Sequence, residues 1–101
     1  DPDDRHVLAV AIRADADAII TFNQRDFDEA ELAKYDVYTE HPDEFVSNMI
    51  ALYTPRVISV VREMRSRLRK PPKSVDDFLN TLHQQGLPQA VGRLSAFADS
   101  L

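Results

Sequence analysis

Cysteine is absent from the 101 residues, so no disulfide braces the fold and no thiolate site can hold zinc. Glycine occurs only twice, which leaves no glycine-rich loop to cradle a nucleotide phosphate, and no Gly-x-Ser-x-Gly elbow marks a serine hydrolase. No apolar run approaches the roughly 20 residues that cross a bilayer, and no secretory signal is visible. These absences predict a soluble, cytoplasmic protein with no membrane partner. The chain opens on Asp1 rather than Met and reads at once as a helix entrance, so a preceding segment is expected. The hydrophobic share of 44% is that of an ordinary globular chain. The length suffices for one small domain or part of a larger one, with little area for a self-sufficient core.

The net charge of −5 conceals a strong segregation along the chain. Residues 1–44 hold thirteen acids against Arg5, Arg13, Arg25 and Lys34, a net of −9. From Arg56 to Lys73, seven bases face only Glu63, a net of +6. A metal site beside a phosphate-binding track would have this layout, and so would a set of solvated helix faces.

Asp1-Pro2-Asp3-Asp4 predicts a helix start, with Asp at the N-cap, Pro at the first helical position and acids opposing the helix dipole. The helix is expected to run to about Arg13, with Leu8, Ala11 and Ile12 on its apolar face. Stepping back four residues from Leu8 places Asp4 on the inward side at the helix mouth. Ala18-Ile19-Ile20-Thr21-Phe22 reads as a short, buried, parallel-type strand, and Asn23 to Asp26 as the loop after it. A helix over Glu29 to Lys34 and a strand over Asp36 to Thr39 follow. This helix–strand alternation is the rhythm of a parallel α/β sheet.

After His41-Pro42 consecutive helices are predicted. Asp43 is expected to cap one that turns Phe45, Met49 and Leu52 inward, and Thr54-Pro55 opens another with Val57, Val60, Val61, Met64 and Leu68 on one stripe. Pro71-Pro72 stops it. Ser74 with Asp77 approximates a capping box for a third helix, carrying Val75, Phe78, Leu79 and Leu82 and stopped by Gly86. Leu87, Val91, Leu94 and Phe97 mark a fourth. The fold class is thus α/β, a parallel sheet fragment of two short strands over residues 1–42 and a helical C-terminal region over residues 43–101, mostly helical by residue count.

In a parallel α/β unit a helix leaves the carboxyl end of one strand, and the next strand returns to that edge. At about 1.5 Å per helical residue and about 3.3 Å per strand residue, the first helix and strand have comparable lengths, which brings Asp4 and Asp26 to one rim. Carboxylates gathered there repel unless a divalent cation lies between them, and oxygen-only ligands suit Mg²⁺ or Mn²⁺. A plainer alternative makes Asp1, Asp3 and Asp4 helix caps and Asp26 the start of the next helix. An EF-hand is excluded, because Arg5 takes a ligand position, His6 that of the glycine and Ile12 that of the bidentate glutamate. His6 lies about 200° around the helix from Asp4, a poor place for a catalytic base, and His41 and His83 read as more remote still. Arg62, Arg65 and Arg69 form one row that could grip RNA phosphates, or a solvated face favoured near a helix C-terminus.

Asp1-Pro2-Asp3-Asp4-Arg5-His6-Val7-Leu8-Ala9, followed by Asp17-Ala18-Ile19-Ile20-Thr21-Phe22-Asn23-Gln24-Arg25-Asp26-Phe27, closely resembles the third and fourth acidic motifs of PIN domains. His41-Pro42-Asp43-Glu44-Phe45 and the helical tail through Gly86-Leu87-Pro88 resemble the extension of a VapC-like subgroup. The resemblance covers most of the chain. It implies an Mg²⁺- or Mn²⁺-dependent ribonuclease that hydrolyses RNA phosphodiesters without a covalent enzyme intermediate. Asp4 and Asp26 would be catalytic metal ligands, with Thr21 and Asn23 as orienting groups. It further implies a cognate antitoxin and a dimeric habit. PIN domains draw a first acid from an N-terminal strand and a second from the helix after it, and neither segment is in this sequence. Weak or no nuclease activity is therefore expected of the isolated chain, together with self-association or pairing with an N-terminal half. The rival readings are a noncatalytic helical module that binds an antitoxin or RNA, and a structural dimerisation piece.

Overall fold

The computed structural model describes residues 17–101. The predicted helix over residues 1–13, with Asp4, lies outside them. The described elements are β1 (Ala18–Ile20), a 3-10 turn (Gln24–Asp26), α1 (Glu29–Ala33), β2 (Tyr38–Glu40), α2 (Pro42–Leu52), α3 (Thr54–Ser66), α4 (Val75–Gln84), α5 (Pro88–Ser95) and a second 3-10 turn (Ala98–Ser100). The chain divides into two compact units between Pro42 and Asp43.

In the first unit β1 and β2 pair in parallel, Ala18 with Tyr38, Ile19 with Thr39 and Ile20 with Glu40. Hydrogen bonds from Thr21 N to Glu40 O (3.0 Å) and from Tyr38 N to Asp17 O (3.1 Å) extend the ladder at both ends. The expected strand to Phe22 stops at Ile20, because the Thr21 hydroxyl accepts the Asn23 N–H at 3.0 Å and folds the backbone into a turn. The strand is also less buried than its apolar run suggests. Ile19 packs with Leu32, Val37 and Phe27, whereas Ile20 is 41% exposed.

Helix α1 is capped by Asp28, whose carboxylate accepts from Ala30 N and Glu31 N. It ends through Asp36, which sits at φ 54° while Asp36 N donates to Ala33 O and Val37 N to Leu32 O. That pattern is a Schellman stop with Asp where glycine is usual. It moves the predicted strand start from Asp36 to Tyr38, since a left-handed residue cannot begin a β ladder.

The second unit is helical around a core of Ile50, Ile58, Phe78, Leu79, Ala90, Leu94 and Leu101. Helix α4 matches expectation: the Ser74 hydroxyl accepts from Asp77 N at 3.1 Å, and Phe78 and Leu79 are buried. Gly86, at φ 92°, closes it with Leu87 N donating to Leu82 O. Helices α2 and α3 depart from expectation. Asp43, Ser47 and Ile50 are buried on α2, while Phe45 and Leu52 are exposed. On α3 Ile58 is buried with Val57 and Val61 against the core, leaving Val60 and Met64 exposed, and Leu68 lies past the end of the helix and is exposed too.

A polar contact accounts for the rotation of α2. Asp43 lies within that helix rather than capping it, and its carboxylate caps α5 instead, accepting from Gln89 N at 2.9 Å and Ala90 N at 2.8 Å. Helix α5 has no side-chain cap of its own at Leu87, so Asp43 supplies the acceptors its first N–H groups need and a charge that opposes the helix dipole. One turn along α2, Ser47 Oγ accepts from Arg93 Nε at 2.6 Å. With 43 and 47 turned inward, the helical period brings Val46 and Ile50 to the core and turns Phe45 away.

Replacing this buried carboxylate strands two N–H groups. Asp43→Ala is expected to destabilise the chain by about 3 kcal/mol and Asp43→Asn, which keeps one acceptor, by about 1–2 kcal/mol. Urea denaturation followed by circular dichroism checks this, and a loss below about 0.5 kcal/mol for the alanine variant would contradict the capping role.

Candidate metal centre at the carboxyl edge of the strands

Parallel register sets Ile20 level with Glu40, so Thr21 to Asp26 and His41 leave the sheet from the same edge. The turn there is tightly hydrogen bonded. Besides the Thr21–Asn23 contact, Asn23 O accepts from Asp26 N at 3.0 Å, and Gln24 Nε2 donates across the strands to Thr39 Oγ1 at 3.2 Å. The His41 ring meets Phe22 edge-on, with centroids 5.2 Å apart. A concavity of about 430 Å³ is lined by Phe22, Asn23, Gln24, Arg25 and Asp26.

Three of the four predicted site residues at this edge, Thr21, Asn23 and Asp26, thus share one short turn, and Asp26 is exposed. Asp4 lies outside the described residues. Asp26 does not begin the next helix, since Asp28 caps it, so the capping alternative does not account for the Asp26 carboxylate. The concavity offers one carboxylate, Asp26, and the amides of Asn23 and Gln24, whose oxygens suit a hard cation such as Mg²⁺ or Mn²⁺ in kind, beside the guanidinium of Arg25, whose charge opposes one. Among the described residues no three of His, Cys, Asp and Glu gather closely enough to hold a metal ion. Asp26 needs further carboxylates from elsewhere to complete such a site.

The sequence reading missed two residues of this edge. His41 was expected to be remote, yet the contact with Phe22 puts it beside the turn. Its signal was positional: with β2 ending at Glu40, His41 follows β2 as Thr21 follows β1. Nothing in the residue pattern announced the strand-spanning bond of Gln24.

The arginine row is distributed differently from a single helical stripe. Arg62 Nε donates to Ser100 O at 2.7 Å, and the half-buried Arg65 donates from Nε to Leu101 O at 2.8 Å and from Nη1 to Lys73 O at 3.0 Å. Both guanidinium groups tie α3 to main-chain oxygens of the C-terminal stretch or the following turn. Arg69 lies past Ser66, where α3 ends, and is exposed.

Residues 42–96 match the family described as the VapC50 C-terminal domain. A Mycobacterium tuberculosis (strain H37Rv) protein named "Putative ribonuclease VapC50" is 35% identical over 86 residues, which cover 85% of this chain and 50% of that protein. The chain therefore spans about half the length of this curated relative. No solved structure matches it. With more than half its residues matched to that domain, and a parallel α/β unit preceding it, the chain belongs to the VapC50 family of VapC-like PIN proteins and corresponds to their C-terminal portion.

Proposed function

We propose that this chain carries part of the active site of a metal-dependent endoribonuclease of the toxin type, which hydrolyses RNA phosphodiester bonds and is restrained by a cognate antitoxin. The observation that carries the reading is the parallel β1–β2 pairing, which sets Asp26 in a hydrogen-bonded turn with Thr21 and Asn23 at the carboxyl edge. Open α/β sheets take ligands at that edge. The name of the Mycobacterium tuberculosis relative, a ribonuclease, points the same way.

In this reading Asp4 and Asp26 hold a divalent cation. A bound Mg²⁺ or Mn²⁺ would supply Lewis-acid stabilisation of phosphate charge and a more acidic water. The chain's own residues orient. The Thr21 hydroxyl, by accepting the Asn23 N–H, fixes the turn, and the Asn23 carbonyl, by accepting from Asp26 N, sets the direction in which the carboxylate leaves the backbone. His41, packed on Phe22, restricts that aromatic ring at the rim. The 101 residues alone are proposed to cleave RNA weakly or not at all, because the family's first two acids are not among them. The natural setting is proposed to be the cytoplasm, where RNA and antitoxin are available; no helix among the described residues is long and apolar enough to cross a membrane.

A second reading concerns residues 43–101, proposed to be a noncatalytic interaction module. It is favoured by their closed core and by the match of residues 42–96 to a domain family in its own right.

Calorimetric titration tests the metal reading. The chain is expected to take up Mn²⁺, and Asp4→Asn with Asp26→Asn to abolish the uptake; unchanged uptake by the double variant would defeat it. Strand edges are a separate matter. Among the described residues each strand pairs on one side only, and Ile20 and Tyr38 are exposed. Unpaired strand edges recruit further strands, so light scattering is expected to give a mass above that of a monomer, and a clean monomer would exclude self-association.

A further inference from the structure

Between α3 and α4 the chain makes an exposed turn over residues 67–74, in which Arg67, Arg69, Lys70 and Lys73 surround the pair Pro71-Pro72. The turn is fastened at its neck. Arg65 Nη1 donates to Lys73 O at 3.0 Å, Lys73 Nζ donates to Thr81 Oγ1 at 2.8 Å, and Arg69 and Pro72 form an antiparallel bridge. Arg67 forms an ion pair with Glu63. The ion pairs among the described residues leave Arg69 and Lys70 unneutralised at the tip. Beside them a polar hollow of about 490 Å³ is lined by Lys73, Asp77, Asn80, Thr81 and Gln84 together with the prolines.

Neither the helical core nor the strand edge uses these groups. Their chemistry suits a polyanion whose charges are spaced along a hydroxyl-bearing chain. Arg69 presents a planar fork that matches two phosphate oxygens and Lys70 adds a point charge, while in the hollow the amides of Asn80 and Gln84 and the Asp77 carboxylate, which repels phosphate but accepts from hydroxyls, suit a sugar rather than a second phosphate. Because the neck is already hydrogen bonded, little backbone order is lost when a ligand binds at the tip. Residues 56–73 carry a net charge of +6, which draws a long anion toward this turn.

We propose that the turn over residues 67–74 docks the sugar–phosphate backbone of RNA, with Arg69 and Lys70 as the phosphate contacts and the Asn80–Gln84 hollow as the place for an adjoining ribose. The choice of RNA rests on the ribonuclease reading.

The test is fluorescence anisotropy of the full chain with a labelled single-stranded oligouridylate in EDTA, where cleavage is silent. Arg69→Gln with Lys70→Gln is expected to weaken binding about tenfold and to lower the slope of log K against log salt by about 1.4, roughly 0.7 for each phosphate contact removed. Arg56→Gln, which removes a cation of α3 outside the turn, is expected to change affinity by no more than about twofold. Matching circular dichroism of wild type and variants separates lost contacts from lost fold. Unchanged binding by the double variant, or an equal loss from Arg56→Gln, would overturn the docking site. So would binding to phosphatidylserine vesicles without binding to RNA. Since the assay excludes metal, its outcome is independent of Asp26. RNA bound at the turn with no Mn²⁺ uptake would overturn the nuclease reading alone, and Mn²⁺ uptake with no RNA at the turn would overturn the docking site alone.

Discussion

The parallel ladder between β1 and β2 is the constraint on which the candidate site depends. Three residue pairs and two further bonds, Thr21 N to Glu40 O at the carboxyl edge and Tyr38 N to Asp17 O at the other end, fix which residues leave the sheet together. A slip of one residue would turn Ile19, whose side chain packs with Leu32 and Val37, to the opposite face, so burial of that side chain specifies the register. From the register follows the position of the Thr21–Asp26 turn, and from the turn the position of the one described carboxylate proposed to hold metal. Local chemistry finishes what the ladder begins: a threonine hydroxyl bends the chain out of the strand, and Asp28 starts α1 two residues after Asp26.

A different kind of constraint organises the helical unit. The carboxylate of Asp43, 3% exposed, supplies acceptors to a helix that begins 45 residues later in sequence. An ionised group out of water is tolerable only when hydrogen bonds replace its hydration, and the start of a helix provides unpaired N–H groups for that purpose. The consequence reaches beyond one cap. Turning Asp43 inward selects which of two apolar faces of α2 is buried, and leaves Phe45 and Leu52 outside.

These two constraints explain why some features were legible in the sequence and others were not. The parallel strands, the Ser74 cap, the inward residues of α4 and the Gly86 stop are local signals, each carried by a few neighbouring residues whose preferences agree. The Thr21, Asn23 and Asp26 grouping was legible for the same reason, being confined to one turn. Helices α2 and α3 bear apolar residues on more than one face, so periodicity could not choose between registers; on α2 two hydrogen bonds from a distant segment to Asp43 did. Asp36 hid a helix stop because it takes left-handed backbone where glycine is the usual residue. The arginines of α3 read as a surface row because nothing local reveals that Arg62 and Arg65 reach main-chain oxygens more than 30 residues away.

The central claim is that a divalent cation is bound where Asp26 leaves the carboxyl edge. Paramagnetic broadening of the amide resonances of the isotopically labelled chain by substoichiometric Mn²⁺ locates such an ion directly. The account predicts that resonances of Asn23 to Phe27 and those around Asp4 broaden first and together, and that Asp26→Asn removes the effect. Broadening centred instead on other carboxylates, such as Glu29 and Glu31, or broadening at the edge that survives Asp26→Asn, would contradict it.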